Sequence, residues 1–240
     1  MHHLVLAHGF TQTARSWAIL GDLIAQRVDG TSFTPVDLPG HGRATRLRRD
    51  LWGSADHLVQ QGGPGTYVGY SMGGRVALHA ALRHPDSVER LVLIGATAGI
   101  DDAGDRARRR AEDQALADRI MRHSLPAFID EWLARPLFDG LDDDTAMRDD
   151  RLRNTRAGLA SSLRLCGTGT QEPLWDRLGE VRSPTLVLVG ADDTKFRALG
   201  ERLVDGLASA ELSVIEDSGH SVHLEQPDRT ADAISEFLLR

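Results

Sequence analysis

A doubly wound, mostly parallel α/β sheet carrying a helical insertion is the fold class that this 240-residue sequence predicts. Three observations carry the expectation. Short apolar runs recur as near-continuous hydrophobic stretches, the pattern of strands covered by helices on both faces. Amphipathic segments separate them, giving the β-then-α alternation of a parallel sheet. Between Gly99 and Arg182 that rhythm stops, and the chain becomes charged and helix-patterned with no convincing strand.

In chain order, the strand candidates are LVLAH (Leu4 to His8), FTPVD (Phe33 to Asp37), TYVGY (Thr66 to Tyr70), LVLIGA (Leu91 to Ala96), TLVLVG (Thr185 to Gly190) and LSVIE (Leu212 to Glu216). Amphipathic segments between and after them include Ser16 to Arg27, Met72 to Arg83, Phe196 to Leu207 and Pro227 to Leu239. The interrupted stretch holds DRARRRAEDQALADRIM, LPAFIDEWLARPLF and RNTRAGLASSLRL. At about 80 residues it is too long for a simple crossover. Residues 99–182 are therefore expected to form a helical cap, and residues 1–98 and 183–240 the core beneath it, together one structural domain. The cap would cover the C-terminal edge of the sheet, where open α/β sheets bind ligands.

Composition narrows the function. Hydrophobic residues make up 41% and charged residues 26%, ordinary values for a globular chain of this size. A net charge of −7 argues against a nucleic-acid partner, which would ask for a basic stripe. Of the 28 lysine and arginine residues, Lys195 is the only lysine. The single cysteine, Cys166, excludes an internal disulfide, and no His, Cys or Asp spacing suggests a metal. No glycine-rich nucleotide loop stands out, so neither cofactor nor metal is expected. Met1-His2-His3 runs straight into the first strand candidate with no visible signal peptide. No apolar run approaches the roughly 18 residues that span a bilayer. A cytoplasmic protein with no membrane partner is expected, and monomer and homo-oligomer fit equally well.

GYSMG, from Gly69 to Gly73, matches the G-x-S-x-G pattern. Its setting matters more than its five letters: Ser71 directly follows a buried-strand pattern and opens the helix-patterned run from Met72 to Arg83. A sharp turn that thrusts Ser71 forward leaves no room for side chains at Gly69 and Gly73, and Gly74 lets the helix pack closely. An ordinary N-cap serine is the simpler alternative. A reactive serine needs a base, and His220 ends the loop EDSGH after the last strand candidate. Its competitor His223 lies nearer the final helix. The acid should follow the penultimate strand, where GADDT offers Asp193, with Asp192 as the second choice. Asp193 would orient the His220 ring and stabilise the imidazolium. An oxyanion hole needs two backbone N–H groups. Met72, at the helix N-terminus, supplies one, and Phe10, in the loop HGF after the first strand, supplies the other. DLPGHG, from Asp37 to Gly42, is expected to be a structural turn, with His41 a loop hydrogen-bonder.

These residues resemble the α/β-hydrolase superfamily throughout. GYSMGGRVAL, LAHGFTQTARSW, DLPGHG and DDTKFRAL together are similar to one branch of it, the 2-succinyl-6-hydroxy-2,4-cyclohexadiene-1-carboxylate synthases of menaquinone biosynthesis. The resemblance implies that the serine acts as a base rather than a nucleophile. It removes a proton beside a carbonyl, after which pyruvate is eliminated from a small anionic organic substrate. It also implies an arginine-lined site. Arg75, one helical turn after Ser71, can lean back toward the serine, and a planar guanidinium suits a carboxylate. The resemblance further implies substrate contacts at Tyr70, at Arg110 in RRRAED, at Trp132 in DEWLARPLF and at Arg153 in RLRNTRAG.

Two other readings use the same residues. Ser71 could be the nucleophile of an ester or thioester hydrolase. A non-catalytic ligand receptor could also be built on this frame, since fold does not dictate function. A complete serine, acid and histidine set favours an enzyme.

Overall fold

The computed structural model describes residues 1–240. Strand β1 (His2–Ala7) leads through a 3₁₀ turn into α1 (Ala18–Arg27). There follow β2 (Thr31–Val36), α2 (Leu51–Gly62), β3 (Gly65–Tyr70), α3 (Met72–Arg83) and β4 (Val88–Ile94). Four helices then come without an intervening strand: α4 (Ala103–Arg122), α5 (Leu125–Leu133), the single turn α6 (Arg148–Arg151) and α7 (Arg156–Cys166). The chain closes with β5 (Thr185–Gly190), α8 (Thr194–Gly206), β6 (Ala210–Ile215), the short α9 (Val222–Glu225) and α10 (Pro227–Leu239). All six strands are parallel, in the order β2-β1-β3-β4-β5-β6.

Side chains alternate across each strand, and that alternation divides the core in two. Val5, Tyr67, Leu91, Leu93 and Val187 point to one face and pack on α2, α3 and α8. Leu4, Leu6, Val68, Tyr70, Val92 and Leu188 point to the other and pack on α1 and α10. A third apolar cluster, built from Ala117, Ile120, Phe128, Ile129, Leu159 and Leu163, comes from α4, α5 and α7, and Phe10 packs against it. Helix α7 meets the rest of the molecule closely. A Cβ at Gly40 would collide with the Gly158 carbonyl, and the Ser162 hydroxyl donates to the Met72 sulfur at 3.4 Å.

Helix α3 is rich in Ala and Leu, good helix formers, and is buried from Met72 through Ala81. It stops at His84 because the following Pro85 disfavours a helical conformation there. Helix α2 has a weaker signature in the sequence. Leu51, Ala55 and Leu58 form its buried stripe, with Trp52 and Val59 packed at the edges, and the start is fixed by the Asp50 carboxylate accepting from Gly53 N–H at 2.7 Å.

Candidate active site

Four loops meet at the C-terminal edge of the sheet, following β1, β3, β5 and β6. The β3 loop is a single residue. Ser71 stands between strand and helix at φ 52°, ψ −107°, a left-handed conformation that costs a non-glycine residue about 1–3 kcal/mol. Its neighbours explain how the turn survives. A Cβ at Gly69 would overlap the Gly73 carbonyl, and one at Gly73 would overlap the Ala7 carbonyl. Both positions must be glycine for the helix to begin so close to the strand.

His220 Nε2 lies 3.2 Å from Ser71 Oγ, and His220 Nδ1 lies 2.8 Å from Asp193 Oδ2. Asp193 caps α8, its other oxygen accepting from Phe196 N–H at 3.2 Å. Asp192, the second choice, is exposed and makes no contact with the ring. The imidazole is packed by Phe196, with ring centroids 4.3 Å apart, and approaches Gly95, where a Cβ would stand 2.9 Å from its Cε1. His223 is also buried, but its Nε2 faces the Gln12 amide at 3.4 Å and its ring stacks between Tyr70 and Trp17. It does not reach Ser71.

Phe10 and Met72 both line the cavity in front of Ser71, and neither backbone N–H donates to a protein acceptor. Thr11, next to Phe10, holds φ 71°. All three of its polar groups are engaged. Its N–H donates to His41 Nε2 at 3.3 Å, its carbonyl accepts from Asn154 Nδ2 at 2.6 Å, and its hydroxyl accepts from Arg151 Nη1. DLPGHG is a structural turn: the Asp37 carboxylate accepts from Ala14 N–H and Arg43 N–H, at 2.8 and 2.9 Å. His41, fully buried, hydrogen-bonds within the loops and touches nothing reactive.

The cavity has a volume of about 570 Å³, and Arg75, Arg109, Trp132 and Lys195 contribute to its wall. Arg75 is only 7% exposed. Its side-chain hydrogen bond is to the Gln171 amide oxygen, at 3.3 Å, and burial pulls its pKa down to about 10. Asp113, an acid of the same wall, pairs instead with Arg109 at 2.8 Å. Arg202 is taken by Asp101 at 2.5 Å. Trp132 stacks edge-on against Phe10, and its indole N–H is buried with no acceptor.

Three of the expected contacts fall elsewhere. Arg110 is exposed on the far side of α4, where its Nε donates to the Gly169 carbonyl at 3.2 Å. A helix turns 100° per residue, and Arg109 and Asp113, at i and i+4, take the inner face. Arg153 is also exposed, beside a larger hollow of about 880 Å³ behind α1 that holds no serine or paired histidine. Arg151 and Asn154, at i and i+3, are the residues of that turn that point inward. Tyr70 is 3% exposed and lies beneath Ser71 and His220, because β3 alternation sends it to the α1 and α10 face. Its hydroxyl meets Ser221 Oγ at 2.7 Å.

Burial keeps several histidines around the site neutral. The pKa of His79 falls to about 4 and that of His223 to about 3, each chiefly by desolvation, and those of His8 and His41 fall as well. The unfolded chain, with ordinary histidine pKa values near 6.5, therefore binds more protons than the folded one below that pH. Stability should decline as pH falls from about 6.5 toward 4, by up to about 1.4 kcal/mol per unit for each such histidine. Urea midpoints near pH 7.5 and pH 5 measure this, and equal midpoints would contradict it.

The sequence profile of the alpha/beta hydrolase family matches residues 4–233. A Bacillus subtilis protein provisionally named 2-succinyl-6-hydroxy-2,4-cyclohexadiene-1-carboxylate synthase is 36% identical, the alignment covering 98% of this chain and 89% of that one. A Serratia proteamaculans protein bearing that name without qualification is 31% identical, with 98% and 92% covered. Among solved structures, that of MenH from S. aureus superimposes with a TM-score of 0.88 at 28% identity, covering 99% of this chain and 93% of the other.

Proposed function

The chain belongs to the alpha/beta hydrolase family, and from that premise we propose that it is a carbon–oxygen lyase of menaquinone biosynthesis. It eliminates pyruvate from a polycarboxylate precursor, as a 2-succinyl-6-hydroxy-2,4-cyclohexadiene-1-carboxylate synthase does. The observation that carries this reading is Arg75. A buried guanidinium with no carboxylate partner, one helical turn behind Ser71, is costly to the fold unless an anion completes it. A substrate carboxylate is such an anion.

The residues divide the work as follows. Ser71, Asp193 and His220 form a triad in which His220 Nε2 takes the Ser71 hydroxyl proton as Oγ removes one from a carbon beside the substrate carbonyl. Asp193 holds the ring in the tautomer that leaves Nε2 free to accept and stabilises the imidazolium that results. The amides of Phe10 and Met72 receive the oxyanion, Met72 aided by the positive end of α3. As the enolate collapses, the C–O bond to the departing group breaks. The group leaves as the pyruvate enolate and takes up a proton to become pyruvate, so no water is consumed. Arg75 binds one carboxylate, and Lys195, on the same wall and without an acidic partner, suits another, whereas Arg109 is already paired with Asp113. Trp132 offers its free indole N–H to the bound substrate.

A second reading draws on the strained elbow of Ser71. A serine presented at φ 52° beside two free amides also fits nucleophilic attack on an ester or thioester. One comparison separates the two. The purified protein is given the enolpyruvyl-bearing precursor and, separately, simple aryl esters. Pyruvate release at a rate far above aryl-ester turnover is the expected result. Fast ester turnover with no pyruvate would sink the lyase and leave the hydrolase.

A further inference from the structure

The loop that carries His220 has no regular structure between Ile215, at the end of β6, and Val222, at the start of α9. Backbone N–H groups in such a loop must find acceptors. Those of Gly219 and Ser221 stand on either side of His220 in sequence, and both donate to one side chain. Gly219 N–H reaches Glu225 Oε2 at 2.6 Å, and Ser221 N–H reaches Glu225 Oε1 at 2.8 Å. Glu225 closes the loop further, its own N–H donating to the Ser221 carbonyl at 3.0 Å.

Resting on the role proposed above for His220, we propose that Glu225 is a positioning residue of the reaction. Its carboxylate clamps the backbone on both sides of His220 and so sets the imidazole between Ser71 and Asp193. An ionised carboxylate is suited to this because both of its oxygens only accept. Bonds from amides to it are also shorter and stronger than neutral ones. Glutamine would offer one accepting oxygen and turn an NH₂ group against the second N–H. The other contacts of the His220 ring, with Phe196 and Tyr70, are side-chain packing and do not hold the loop backbone. A displacement of the ring by about 1 Å is enough to cost about 100-fold in rate.

The test compares Glu225→Gln and Glu225→Ala with wild type and with His220→Ala in the pyruvate-release assay. The low-field proton resonance of the His220 Nδ1–H bond to Asp193 is followed in parallel. Glu225→Gln should lower kcat about 10-fold and Glu225→Ala about 100-fold, with KM held within about twofold. The resonance should broaden or vanish in both. If Glu225→Ala does not fold, Glu225→Gln carries the comparison. A normal kcat with an unchanged resonance, even at a lower melting temperature, would make Glu225 a structural residue only and overturn the proposal. Full activity in His220→Ala would instead remove the role of His220, while the resonance still reports whether Glu225 fixes the ring.

Discussion

Ser71→Ala is expected to lower the rate of pyruvate release by about 10³-fold or more, the scale of losing a positioned acid–base group together with its partner. The expectation follows from geometry. Ser71 Oγ lies 3.2 Å from His220 Nε2, and in the proposed mechanism the imidazole acts on the substrate only through that hydroxyl. No second histidine stands ready, because His223 is buried against Trp17 and Tyr70, and His41 is occupied by Thr11. Alanine keeps the backbone at φ 52° no more comfortably than serine does, so the melting temperature should change little. Substrate binding should survive too, since Arg75 and the cavity wall are untouched. Rate loss without loss of binding is the signature. A variant that kept its activity would remove Ser71 from the mechanism.

Arg75→Met is expected to show the opposite pattern, a loss of substrate binding with no loss of stability. Removing one partner of a buried, hydrogen-bonded charge pair typically costs about 2–5 kcal/mol of binding, or about 30-fold to a few thousand-fold in kcat/KM. The loss should appear as a raised KM, because a carboxylate is held in the ground state as well as in the transition state. In the free protein, however, Arg75 is a desolvated cation with only Gln171 for a partner. Methionine replaces the apolar stem of the arginine and has no charge to bury, so the urea midpoint should hold or rise. Arg75→Lys should not restore activity, for a point charge does not reproduce the planar fork. Arg110→Ala, facing away on α4, should leave kcat/KM within about twofold and serves as the control. An Arg75→Met protein with an unaltered KM would show that the guanidinium does not meet the substrate.

Much of the site was legible in the chain because its parts are local. The strand-then-serine-then-helix order around Ser71 is written in consecutive residues. Asp193 and His220 follow apolar runs whose length and burial identify them as strands. What could not be read was rotational phase in a charged helix. In DRARRRAEDQ three consecutive arginines are chemically alike, and it is the packing of α4 on α7 and on the Gly167 to Gly169 turn that sets Arg109 inward and Arg110 outward. The same holds at RLRN, where Arg151 reaches Thr11 across more than a hundred residues of sequence. Tyr70 was a different case. Its alternation within β3 already assigned it to the face opposite Tyr67, so period-two reasoning applied to the strand would have placed it beneath the site. Glu225 carries no signature either, because its partners are backbone amides.

The central claim is that Ser71 takes a proton from carbon and does not attack a carbonyl. It is tested most directly by replacing the abstracted substrate hydrogen with deuterium, while the intact mass of the enzyme is followed by rapid quench during turnover. Proton abstraction predicts slower pyruvate release from the deuterated substrate and an enzyme mass that never changes. Release at an undiminished rate, with a substrate-derived adduct on Ser71, would contradict it.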